Sequence, residues 1–397
     1  MLPKLPQGYR VAGVRCGIKS GSQKEDVALV VSETPVVAAG VYTQNLIYAA
    51  PVALDRQRTP SDNIRVVVIN SGNANACTGS RGFEDARQMA QLAATACGAD
   101  PSQALVMSTG IIGVFLPMEK IAAGITAAAA QLAGDEPSLL KAARAILTTD
   151  QSHKVAGRTI DVGGRQIQIT GMAKGAGMIG PNMATMLALI MTDAAISVSV
   201  AQSVLMSAVD ETFNCISVEG HTSTNDTVLL LASGKAIDRA LFGAELESFR
   251  QALTSVCSEL ARMIPDDGEG ATHLINIEVR GCATRETARR IARTVADSAL
   301  VKTAIAGGDP NWGRIVSAAG YAGVPFDPAG VCLWINGTPL YQNGAPVAFD
   351  AAAVSASIRH QRETFLILQF AEGDGSIRFW TSDLNVNYVR FNADYST

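Results

Sequence analysis

Charge and aromatic rings are both scarce in this sequence. Asp, Glu, Lys and Arg together make up 17 % of its 397 residues and Phe, Trp and Tyr only 5 %, whereas apolar residues reach 48 %. No stretch of Lys or Arg is long enough to track a phosphate backbone and the formal net charge is −4, so nucleic acid is not an expected partner. No apolar run approaches the roughly 20 residues that span a bilayer, and no membrane partner is expected either. Met1 to Arg10 contain no apolar signal core, which argues against export by a cleaved signal. The four histidines (His153, His221, His273, His360) lie far apart and none sits in H-E-x-x-H; the seven cysteines show no C-x-x-C spacing. Neither a metal site nor a disulfide framework is therefore expected. An odd, dispersed set of thiols in a long chain reads as reduced cysteines in the cytoplasm.

What is present is ample material for a core, with a mean hydropathy of +0.18, and a length that suits one large or two smaller cores. Strand and helix signals alternate. Asp26 to Val31 and Arg65 to Asn70 are short β-branched runs ending in polar turns. Phe83 to Cys97 has helical spacing and stops at Gly98; Pro117 to Leu132 starts with proline and ends before Gly134. Arg158 to Thr170 alternates around Gly163-Gly164 and predicts a hairpin. Helices are expected over Pro137–Leu147, Ser199–Phe213, Ala240–Met263 and Arg285–Ala304, and strands over Val331–Asn336, Phe365–Phe370 and Ser376–Thr381. Hairpins mixed with helices indicate α+β layers.

The most informative stretch runs from Gly171 to Ile190. Gly175-Ala-Gly-Met-Ile-Gly180 fits G-x-G-x-x-G, but a dinucleotide fingerprint needs a helix to begin within those glycines. Pro181 and Asn182 follow at once, and Met183 to Met191 is short and apolar on every side, as a buried strand is. A second reading is chemical. A threonine hydroxyl needs a base to become a nucleophile, and a threonine that begins a chain carries one in its own α-amine, with a reference pKa of about 8. Thr185 after the small Ala184, with glycines upstream, suits backbone self-cleavage. Taken alone, the Ala-Thr pair is more simply a β-branched residue entering a sheet.

Lys174-Gly-Ala-Gly-Met-Ile-Gly-Pro-Asn-Met-Ala-Thr-Met-Leu187 resembles the self-cleavage motif of the ornithine acetyltransferases, also called glutamate N-acetyltransferases. Further blocks are similar to that family in the same order. They include Gly13 to Lys19, Asn70 to Gly79, Ser108 to Gly113, Leu147 to Asp150, Thr222 to Thr227, Asp267 to Thr272, Asp309 to Arg314 and Asn392 to Thr397. The resemblance implies two sheets between helix layers (αββα), as in the related self-processing aminopeptidases, over residues 1–280, with a C-terminal α/β lobe at 281–397. It implies cleavage between Ala184 and Thr185 into fragments 1–184 and 185–397 that stay together, two copies of each. It implies transfer of the acetyl group of N-acetylornithine to glutamate through acetyl-Thr185, in arginine biosynthesis. No cofactor is implied, and acetyl-CoA is allowed as an additional co-substrate.

By the same resemblance Thr109 and Gly110 form the oxyanion hole, and Thr148, Lys174, Thr185, Glu269, Asn392 and Thr397 contact substrate. The chemistry agrees, since acyl transfer builds negative charge on a carbonyl oxygen that fixed donors stabilise. Lys174 suits an α-carboxylate and Glu269 the δ-ammonium of ornithine. Each residue also has a plainer reading: Thr148 as a helix cap, Lys174 as a solvated lysine, Glu269 as a loop acid. Asn70 to Asn75 reads as a structural turn near the site, and Asp309 to Arg314 as packing or capping. Glu219 and His221 stand where the family usually has aspartates, and Thr381 to Tyr388 lacks a usual cysteine, which bears on specificity more than on reaction type. A self-processing aminopeptidase or amidohydrolase and a non-catalytic relative of the same fold are the competing readings.

Overall fold

The computed structural model describes residues 2–19, 21–180 and 186–394. Its larger sheet contains, in order, the strands Ala104–Ile111, Ser61–Asn73, Val27–Tyr42, Thr227–Ala232, Leu187–Thr192, Arg165–Lys174 and Lys154–Val162, with Tyr9–Val14 paired to the first half of Val27–Tyr42. The 16-residue strand Val27–Tyr42 explains how one sheet makes two layers. Alternate residues of a strand face opposite sides. In its first half, Ala28 and Val30 enter a middle core while Leu29 and Val31 meet the helices Gly79–Ala96 and Met118–Ala129. The register then shifts within the strand, across the exposed residues Glu33, Thr34 and Pro35. In the second half Val36 and Ala38 still face the middle core, but Ala39 faces the opposite helix layer. The two layers of the αββα sandwich are thus halves of one folded sheet, with Val30, Val67 and Ile69 packed against Met172, Leu189 and Leu229 between them.

A second sheet holds the C-terminal part, in the order Ala345–Pro346, Thr338–Gln342, Cys332–Ile335, Glu363–Gln369, Leu274–Cys282, Gly375–Ser382, Ile216–Ser217. The helix Gly243–Asp266 joins the two sheets. Its buried stripe of Phe249, Leu253, Val256, Leu260 and Ile264 has the spacing of one helical face. It packs on Lys154–Val162 and Arg165–Lys174 of the first sheet and on Gly375–Ser382 and Ile216–Ser217 of the second. One continuous apolar core results, running from Ile190 through Leu253 to Ile277.

The hairpin turns at Gly163-Gly164, where both residues have positive φ (59° and 82°), as a two-residue turn between twisted strands requires. The helix expected over Arg285–Ala304 is two helices, Arg285–Asp297 and Ala299–Ala306. Ser298 between them is extended, and its hydroxyl accepts the Val301 amide, so it caps the second helix. Among the described residues no helix is long and apolar enough to cross a membrane.

Candidate active site

The strands Ser61–Asn73 and Ala104–Ile111 run parallel, and their ends bring Ser71 beside Thr109 and Gly72 beside Gly110. Gly110 has φ = +133°, and a Cβ there would lie 2.3 Å from the Gly72 carbonyl carbon. No side chain fits that approach, so the glycine is a steric requirement of the strand pairing. Asn225 braces this corner. Its Nδ2 donates to the carbonyls of Ala74 (2.6 Å) and Ser108 (2.8 Å), and its Oδ1 accepts the Thr224 hydroxyl (2.6 Å).

This corner opens onto a cavity of about 110 Å³. Its described lining includes Thr109, Gly110, Thr148, Lys174, Glu269 and Asn392, six residues from five separate segments that the sequence singled out. Ala184, Thr185 and Thr397 lie outside the described residues. Thr148 follows the helix Glu136–Ala145, whose C-cap is Ile146, and its amide donates to Asp150 Oδ2 (3.1 Å). Lys174 ends the strand Arg165–Lys174 and is only 2 % exposed, which excludes the solvated reading. Its register partner is Leu187, and Leu187 pairs in turn with Thr227. Glu269 is fastened at its amide, which donates to the Ala176 carbonyl (2.9 Å), and at its carboxylate, where Asn392 Nδ2 donates to Oε2 (3.1 Å). The carboxylate lies directly over Gly177; a Cβ there would sit 2.4 Å from it.

Burial sets the charges. It pulls the Lys174 ammonium below its usual pKa; Asp150, Asp226 and Glu269 oppose that pull, and Lys154 adds to it. Burial would raise the Asp150 carboxyl, but Lys154 and Lys174 with hydrogen bonds from Lys154 and the Gly175 amide hold it down at about 2. Asp226 is pushed up to about 8, mainly by burial, although its Oδ1 accepts the Met186 amide (3.0 Å). Glu219 is likewise raised to about 8, by burial first and with Glu269 contributing. The cavity thus offers the buried amine of Lys174 and the carboxylate of Glu269, with a hydroxyl and a glycine backbone at Thr109-Gly110.

Several lining residues lie in the family-like blocks without having been named as site residues: Ala74, Ile112, Thr149, Gly177, Met178 and Ser223-Thr-Asn225. The block Thr222 to Thr227 carried the signal for the last three, but nothing local distinguishes a brace such as Asn225 from a turn residue. Asn70 and Asn73 do serve the turn, through Asn70 Nδ2 to the Asn73 carbonyl (2.8 Å) and the Asn75 amide to Asn73 Oδ1 (2.8 Å). Asn311 caps the helix Trp312–Gly320 and stands away from the cavity. Among the described residues no group of three or more His, Cys, Asp or Glu is arranged to hold a metal.

Comparison with known proteins adds sequence to this geometry. The ArgJ family model matches residues 10–397. The arginine biosynthesis bifunctional protein ArgJ of Rhodopirellula baltica is 50 % identical over 396 residues, covering 99 % of this chain and 96 % of its own length. The protein of the same name from Symbiobacterium thermophilum is 47 % identical over 395 residues, covering 99 % and 98 %. A crystal structure of the ArgJ protein from Bacillus halodurans is 37 % identical with a TM-score of 0.51, matching 98 % of that chain and 52 % of this one. Near-complete coverage at such identity, together with six expected residues meeting in one cavity, places the chain in the ArgJ family.

Proposed function

We propose that this protein is a self-cleaving glutamate N-acetyltransferase of arginine biosynthesis, moving the acetyl group of N-acetylornithine to glutamate through Thr185. The observation that carries the reading is the cavity itself. Thr109 and Gly110 face a buried Lys174 and an anchored Glu269, so donors for an oxyanion share one space with opposite charges for the two ends of an ornithine.

In the forward half-reaction the Thr185 hydroxyl oxygen attacks the acetyl carbonyl while the Thr185 α-amine takes its proton. Negative charge on the carbonyl oxygen falls to Thr109 and the Gly110 amide. The C–N bond to ornithine breaks, the leaving amine takes the proton, and an acetyl ester remains on Thr185. Glutamate's amine then attacks the ester and the threonine oxygen recovers a proton. Lys174 holds the α-carboxylate, Glu269 the δ-ammonium of the donor, and Thr148, Asn392 and Thr397 complete the contacts. Thr185 lies two residues before Leu187, the register partner of Lys174, which supports its role here. The Bacillus chain is matched over 98 % of its own length yet covers only 52 % of this one, as a chain of fragment size would, which supports cleavage.

The fragments stay associated, two of each, in the cytoplasm. Acetyl-CoA serves as a second donor, in line with the relatives named bifunctional. Intact-mass measurement of the purified protein should show pieces of 184 and 213 residues, the larger beginning with threonine. Thr185→Ala should remain one inactive chain. Incubation of the native protein with acetylornithine and glutamate, and separately with acetyl-CoA and glutamate, should yield acetylglutamate. Acetate in its place would identify a hydrolase, and efficient cleavage of Thr185→Ala would remove Thr185 from the processing step.

A further inference from the structure

Lys154 begins the strand Lys154–Val162 and is fully buried, yet it is absent from the described cavity lining. Its ammonium donates to Asp150 Oδ1 (2.7 Å), Asp267 Oδ2 (2.6 Å) and the Ser152 carbonyl (3.3 Å). Both carboxylates are themselves anchors. Asp150 Oδ1 also accepts the amide of Gly175 (2.7 Å), the residue after Lys174, and its Oδ2 accepts the amide of Thr148. Asp267 Oδ2 also accepts the amides of Gln151 (3.1 Å) and Ser152 (3.3 Å), and Asp267 stands two residues before Glu269. One ammonium therefore ties together the three segments that carry Thr148, Lys174 and Glu269.

Stability alone does not call for such a device. An apolar side chain of similar length fills the same space, and buried ion pairs are often no more stabilising than well-packed apolar groups. What a satisfied charge network adds is fixed direction and spacing, because each partner has only one geometry that leaves no group unpaired. We propose that Lys154 is a positioning residue for amino-acid recognition: by bridging Asp150 and Asp267 it sets the spacing between Lys174, Thr148 and Glu269, and so controls how tightly the cavity holds a substrate with an α-carboxylate and a distal ammonium. This rests on the acetyltransferase reading. The bridge also spans the cleavage point, since Asp150 and Lys154 precede residue 184 and Asp267 follows it. It keeps the spacing constant after the backbone is cut.

The test uses Lys154→Met and, where that variant does not fold, the double variant Lys154→Met/Asp267→Asn, which removes the bridge and leaves Asp150 as the counter-charge of Lys174. Hydrogen exchange of the unliganded protein should show the amides of Thr148, Gln151, Ser152 and Gly175 exchanging at least roughly tenfold faster, with the rest of the first sheet unchanged. KM for acetylornithine should rise roughly tenfold to a hundredfold, while single-turnover acetylation at saturating donor stays within about threefold of wild type, because placement and not chemistry is altered. Acceleration spread evenly over the chain and tracking a lower Tm would overturn the proposal. So would an unchanged KM in the active fraction, counted by acetyl loading. Wild-type protein that makes no acetylglutamate would overturn the acetyltransferase reading instead, and the exchange pattern alone would then decide whether Lys154 positions the three segments.

Discussion

The two walls of the cavity are built by different means. On one side Thr109 and Gly110 sit at the end of a parallel strand pair, held by the backbone ladder, by a contact that admits only glycine, and by the Asn225 brace. On the other, Thr148, Lys174 and Glu269 come from separate segments linked by side-chain charges, Asp150 to Lys154 to Asp267. In the proposed reaction the first wall is where charge would develop during acyl transfer, and catalysis by preorganised donors requires that they not move. The second wall would then discriminate between substrates, and discrete charges at set distances suit that task. A ladder fails by steric clash and loses everything at once; a charge network fails one partner at a time.

Gly110→Ala is the most severe way to break the first wall. The added methyl group meets the Gly72 carbonyl carbon in a conformation that side chains rarely adopt, so activity should fall by more than about 10³-fold, with stability reduced by about 3 kcal/mol. Denaturant midpoints beside turnover measure both losses. Thr109→Ala keeps the glycine and almost all of the local volume. It should slow acetyl transfer by roughly 10²–10³-fold, mostly in kcat, with Tm almost unchanged. Single-turnover acetylation of already cleaved enzyme is the measurement, and a rate within about threefold of wild type would take Thr109 out of the mechanism.

Glu269→Gln probes the second wall. Glu269 is only half-buried, so its loss should cost acetylornithine use roughly tenfold and a donor without the δ-ammonium much less. Equal losses on both donors would make Glu269 a support for its loop. The smallest effect on activity concerns Asp226, a buried neighbour of Lys174 outside the described cavity lining. Burial pushes its carboxyl up to about 8 in the folded protein, from an ordinary value of 3.8. Between those values the folded protein keeps a proton that the unfolded chain has released. Its contribution to stability is therefore complete below about pH 4 and is lost as pH rises toward about 8. Asp226→Asn, which cannot ionise, should shrink the difference between urea midpoints measured at about pH 5 and about pH 8.

Legibility divides along the same line as the two walls. The hairpin at Gly163-Gly164, the helix Gly79–Ala96 and the strand Leu187–Thr192 were readable because periodicity and turn residues act over a few positions. Gly110 was legible as part of a block, although its reason, the approach of Gly72 from a neighbouring strand, was not. The break at Ser298 escaped notice, since Arg285 to Ala304 keeps helical spacing throughout; in the fold the second helix instead buries Lys302, whose ammonium meets the Val218 carbonyl (2.6 Å) and the Thr381 hydroxyl (2.9 Å). Nor could any spacing show that the chain beyond residue 281 returns to Leu274–Cys282, pairing it with Glu363–Gln369 on one edge and Gly375–Ser382 on the other.

By itself the sequence determined the element types, the α+β class and the inventory of reacting groups, down to a threonine suited to serve as its own base. Those properties depend on side-chain sterics and chemistry that are present before folding. Only the tertiary structure decided that one sheet folds over to form both layers, and that Lys154 meets a carboxylate 113 positions away. It also decided that a lysine and a glutamate with no local relation line one cavity. Such pairings depend on where distant segments come to rest, and burial then sets their charge states, because the cost of an unpaired ion arises only once water has been excluded.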